Sequence, residues 1–147
     1  MRLLIIITFC LASSFALAGE ENLIGSWEGG DTASMAIYGT MHISKESITW
    51  GGHNKYNPKC TVTYTIVPEE FGVTFKDQTG KVFVTSPDSK FSTYLLKISG
   101  GKCTLGISHF RLTFPFENEF SYLAMVEYHK SDTLDKPMGW VHFYMRK

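Results

Sequence analysis

Apolar and polar residues alternate along much of this chain with a period of two, the spacing of strands that bury one face and wet the other. The alternation is cleanest at residues 60–67, where Cys60, Val62, Tyr64 and Ile66 are separated by Thr61, Thr63 and Thr65. It recurs at Met35/Ile37/Met41/Ile43, at Phe71/Val73/Phe75 and at Phe110/Leu112/Phe114/Phe116. Residues suited to tight turns punctuate these runs: Gly29-Gly30-Asp31, Lys45-Glu46, Pro68-Glu69-Glu70, Asp77-Gln78-Thr79-Gly80, Ser86-Pro87-Asp88-Ser89 and Gly100-Gly101. No amphipathic helix of useful length lies between them.

The pattern predicts strands near residues 24–29, 34–43, 47–50, 60–67, 71–76, 81–85, 91–98, 103–115, 120–129 and 138–146. So many consecutive hairpins favour an all-β fold, an antiparallel up-and-down β-barrel of about 8–10 strands, because closure removes the unpaired edges of a long open sheet. A two-sheet β-sandwich is the alternative. Two longer connections, 51–59 and 130–137, stand out as rim loops, where rigid β scaffolds carry their binding surfaces.

The first 18 residues do not fit this pattern. Arg2 precedes an apolar run from Leu3 to Leu11, and the segment closes on the small-residue end Ala16-Leu17-Ala18. That is the grammar of a secretory signal peptide, 1–18, followed by one barrel domain over 19–147. A membrane span needs about 20 apolar residues, and the chain turns polar at Gly19-Glu20-Glu21-Asn22. The expectation is a secreted or periplasmic protein with no membrane span after signal cleavage.

Export changes the reading of the cysteines. Of the 3 in the chain, Cys10 leaves with the signal, and Cys60 and Cys103 remain for an oxidising compartment. They are expected to form a disulfide that constrains the unfolded chain by about 4 kcal/mol in the chain-entropy model.

Charge narrows the partners. With 14 Lys+Arg against 14 Asp+Glu the chain has no electrostatic grip on a phosphate backbone, so no nucleic acid is expected. Aromatic residues make up 14% of the chain, and on the final strands both faces are apolar, so one must be core or cavity.

The stretch Leu23-Ile24-Gly25-Ser26-Trp27-Glu28-Gly29 places a G-x-W element on the first strand of this barrel. It resembles the opening motif of lipocalin-like proteins, the calycin superfamily. The resemblance implies that Trp27 plugs the closed end of the barrel beneath an arginine from the last strand, here Arg146. It also implies a ten-stranded variant of the fold, although no helical lid is predicted after the first strand.

Catalytic constellations are not found. Ser108 and His109 are adjacent and alternate to opposite faces of a strand, no G-x-S-x-G is present, and Gly100-Gly101-Lys102 lacks the rest of a phosphate loop. Glu117 and Glu119 sit in an exposed turn, so the expectation is that the protein is not an enzyme. No cofactor is expected either. A weak metal or haem alternative rests on Glu127 and His129, two apart on one strand, with His142 on the next, and on relatives that hold zinc or haem.

Two functions compete. One is an exported binding protein whose interior, lined by Ile37, Val62, Tyr64, Phe75 and Leu96, holds a small apolar or amphiphilic ligand. The other is a protein-interaction module or enzyme inhibitor that meets a protein partner through the 50–59 loop, with Trp50, His53 and Tyr56 at the contact.

Overall fold

The computed structural model describes residues 20–70, 72–76, 80–85, 92–101, 103, 106–129 and 137–146. The signal segment 1–18 and most of the 130–137 connection lie outside these residues. A short 3-10 turn, Glu20–Asn22, leads into β1 (Gly25–Gly29) and then α1 (Thr32–Ile37). Three strands follow: β2 (Thr40–Ile43), β3 (Ser47–Trp50) and β4 (Cys60–Val67). A small hairpin, β5 (Thr74–Lys76) and β6 (Val82–Val84), precedes β7 (Ser92–Ser99), β8 (Ile107–Phe114), β9 (Tyr122–His129) and β10 (Pro137–Met145).

Eight of these strands close an antiparallel barrel in the order β1-β10-β9-β8-β7-β4-β3-β2, an up-and-down meander once the excursion through β5 and β6 is set aside. The expected all-β barrel is therefore the fold. Alternation explains its core: Met41 and Ile43, Val62 and Tyr64, Phe110, Leu112 and Phe114, Leu123 and Met125, and Val141 and Phe143 all turn inward and are buried. A second, smaller cluster of Leu95, Val126 and Tyr128 forms on the outer wall, with Val67 and Trp140 packed against it.

The predicted strand at 34–43 is corrected. Its first half is α1, whose residues are held by a capping box at Asp31. Ser34 N–H donates to Asp31 Oδ1 at 2.8 Å, and Asp31 N–H donates to Ser34 Oγ at 3.0 Å. The apparent alternation of Met35 and Ile37 belongs to a helix that leaves both side chains exposed, at 44% and 50%. Gly39, at φ 62°, ends the helix in the left-handed region and turns the chain into β2. A helix thus follows the first strand where none was expected.

The small hairpin also departs from expectation, because it pairs with itself and not with the barrel. It lies against the outer wall. Phe75 stacks on Phe83, with centroids 5.2 Å apart, and its ring meets the Arg111 guanidinium at 4.4 Å. Arg111 in turn donates through Nη1 and Nη2 to the Glu69 carboxylate at 2.7 and 2.6 Å, a bidentate pair that anchors the connection to β8. Phe75 is thereby buried outside the barrel, not in its interior.

Cys60 and Cys103 are bridged, with their Cα atoms 5.8 Å apart, tying the start of β4 to the turn before β8.

Candidate functional site

The two ends of the barrel are sealed differently. At the end where β1 begins, Trp27 is wholly buried, its indole N–H donates to Leu23 O at 2.9 Å, and its ring packs on Phe114 at 5.9 Å. Tyr64 closes the same end by donating to Ser44 O at 2.7 Å. Trp27 therefore occupies the position implied by the resemblance, but its expected partner does not. The register pairs Trp27 with Met145, so Arg146, one residue further on, belongs to the opposite face and stands exposed. Among the described residues no cation–π contact joins Arg146 to Trp27.

The opposite end holds a cavity of about 580 Å³. Its floor is Tyr38, Trp50 and Glu127, one wall is the Cys60–Cys103 bridge with Ile107, and the rim is Ile37 with Tyr56, Asn57 and Pro58. Local structure sets each of these. Tyr38 is the residue that caps α1, and its backbone oxygen accepts from Gly51 N–H at 2.9 Å, which ties the helix to the end of β3. Asn57 hydrogen-bonds through its amide to Ala36 O at 3.0 Å and also to Ile37 O, so the 51–59 loop is fastened to the helix across the mouth.

The floor is rigid. The Tyr38 ring packs tilted or edge-on against Trp50 at 5.5 Å, Phe143 at 5.6 Å and Phe110 at 6.4 Å. Its hydroxyl donates to Glu127 Oε1. Burial, with the Glu127 charge beside it, pushes the Tyr38 hydroxyl far above its ordinary range, so it remains a donor at any physiological pH. Burial likewise raises the Glu127 carboxyl above the usual carboxylate range, and the Tyr38 bond offsets part of that rise. The arrangement is an apolar, aromatic pocket with one carboxylate at its base.

This placement sorts the expected site residues. Ile37 meets the cavity, though from the rim on a helix and not from a strand. Val62 and Leu96 face inward but are packed into the filled core at 1% and 0% exposure, Tyr64 belongs to the sealed end, and Phe75 lies outside the barrel. From the expected partner loop, Trp50 is buried in the floor and Tyr56 is 83% exposed at the rim. His53 is exposed and packs against Gly39, where an added Cβ would come within 2.6 Å of its Nδ1.

The metal trio does not converge. Glu127 pairs with inward-facing Phe110 and points inside, whereas His142 pairs with Ala124 on the outer wall. His142 there contacts Trp140 at 4.4 Å and hydrogen-bonds Tyr122. His129 is exposed beside Gly106, whose carbonyl lies 3.1 Å from its Nδ1. Opposite faces of the barrel sheet cannot supply one coordination sphere, and among the described residues no group of three His, Cys, Asp or Glu is placed to hold a metal ion.

Ser108 and His109 are also corrected. A bulge between Ile107 and His109 breaks the strict alternation and brings Ser108 Oγ within 3.0 Å of His109 Nδ1. The serine hydroxyl is directed to Tyr128 O at 3.2 Å and to His129 O, which leaves Nδ1–H as the donor to Oγ. In that tautomer the imidazole cannot take the serine proton through this nitrogen.

No family model, curated protein or solved structure matches this chain. The fold and the cavity therefore carry the functional argument alone.

The signal that sequence reasoning missed is Glu127 as an inward-facing group. The run Leu123, Met125, Glu127 places it on the core face of β9 by alternation, and an acidic residue continuing an apolar face marks a polar point in a cavity or a rim.

Proposed function

We propose that this is an exported, lipocalin-like binding protein that holds a small apolar or amphiphilic ligand in the open end of its barrel, and that it is not an enzyme. The observation that carries this reading is the cavity of about 580 Å³, within the size of small-molecule sites and lined mainly by aromatic and aliphatic side chains. An opposite end filled by Trp27 makes the barrel a one-mouthed cup. The disulfide is compatible with an oxidising, exported location, and among the described residues no helix is long and apolar enough to cross a membrane.

Calorimetric titration of the oxidised protein with hydrophobic fluorophores, long-chain alcohols and fatty acids tests the proposal. Binding is expected with a negative heat-capacity change and a shift in Trp50 emission. A second reading is favoured by Tyr56, 83% exposed at the rim: the 50–59 loop meets a protein partner. Failure of every lipophile, together with capture of a partner that Trp50→Ala and Tyr56→Ala release, would replace the first reading with this one.

A further inference from the structure

The base of the cavity carries a charge preference that an apolar lining alone would not have. An ionised carboxylate offers about four acceptor sites. At Glu127 one is filled by the Tyr38 hydroxyl, and among the described residues no cation or second donor reaches it. The facing residue on β10 is Gly139, where an added Cβ would lie 3.5 Å from Glu127 Oε2, so the facing position itself places no side chain over that oxygen. Around it stand aromatic rings. Trp50 and Tyr38 form the floor, and at the mouth the Tyr56 ring already carries an ammonium, that of Lys55, at 4.8 Å from its centroid.

We propose that the ligand is an amphiphilic amine, an ammonium group on an apolar, preferably aromatic body, with the ammonium at Glu127 and the body against Trp50 and Tyr38. This rests on the cavity reading above and sharpens it. An ammonium supplies both a counter-charge that no described residue gives this half-buried carboxylate and donors for its acceptor sites. A hydroxyl supplies one neutral donor, and a carboxylate brings like charge into a poorly solvated space. Selection among bodies of equal apolar area is thus set by the head group.

The test is calorimetry of the oxidised protein with three probes that share one body: 2-naphthylethylamine, 2-naphthylethanol and 2-naphthylacetate at pH 7.4. The amine is expected to bind at least about tenfold more tightly than the alcohol, the gain of a charge-assisted contact, and the carboxylate most weakly. Glu127→Gln should erase the amine's advantage over the alcohol. Equal affinity of amine and alcohol, or tightest binding of the carboxylate, overturns the amine assignment and leaves the cavity reading standing. If none of the three binds, both fall. The wild-type series decides the matter even where the Glu127 variant fails to fold.

Discussion

At one end of the barrel Trp27, Phe114 and Leu123 leave no accessible surface between them, while at the other Tyr38, Trp50 and Glu127 bound an open space of about 580 Å³. Both ends are made by the same alternating strands, so the difference comes from what crosses them. The sealed end is crossed by the Glu20–Asn22 turn, which sets Leu23 over the barrel, where its backbone oxygen accepts the Trp27 N–H at 2.9 Å. The other is crossed by α1 and the 51–59 loop, which are tied to each other and so arch over the mouth without filling it. A filled end contributes packing energy, and a bridged end leaves a cavity.

The largest expected effect separates the two tryptophans. Trp27→Ala should lower stability by about 3 to 5 kcal/mol as a large-to-small change in a filled core. Trp50→Ala should cost less, because its ring borders space, and should weaken ligand binding instead. Denaturant midpoints and calorimetry measure both. Equal stability losses with unchanged ligand affinity would erase the distinction between the ends.

Reducing the Cys60–Cys103 bridge is expected to cost about 4 kcal/mol by releasing the unfolded chain, and its position adds a local consequence. The bridge lines the cavity wall. Hydrogen exchange should therefore rise first at the starts of β4 and β8 and last around Trp27. Uniform loss of protection would show that the two ends unfold as one unit.

The smallest effect is a pH dependence. Because burial raises the Glu127 pKa in the folded protein, the unfolded chain ionises first as pH rises, and folding loses stability from the ordinary carboxylate range up to the folded value. Glu127→Gln lacks this loss. Denaturation at pH 4 and pH 7.4 should show the variant gaining on the wild type at the higher pH. A gap independent of pH would mean that Glu127 ionises as readily in the folded protein as in the unfolded chain.

Several of these features are readable in the residues. The Thr-spaced run at 60–67 could only be a half-buried strand, and the expectation that Cys10 leaves with a signal segment left Cys60 and Cys103 one partner each. The stretch at 34–43 misled because Met35 and Ile37 are spaced two apart in a helix too short to show its own period, while the stronger signal was Asp31 with Ser34 three residues on. Ile37 does line the cavity, but from a helix and not from a strand. Phe75 failed for another reason: its alternation is genuine, but its hairpin buries that face against Arg111 on the outer wall.

A period of two states that neighbours on a strand face opposite ways, and that much follows from the order of residues alone. The many short strands favoured a barrel over a sandwich, and the resemblance to lipocalin-like proteins implied the burial of Trp27. The period does not state which face is inside, nor how far each strand slides along the next. Those offsets are settled when all eight barrel strands close together, because one shift anywhere moves every later pairing. They place Met145 and not Arg146 opposite Trp27, and they send Glu127 inward and His142 outward. The cavity itself is a property of the assembled ends, since it exists where the crossing segments leave volume that no residue's own preference specifies.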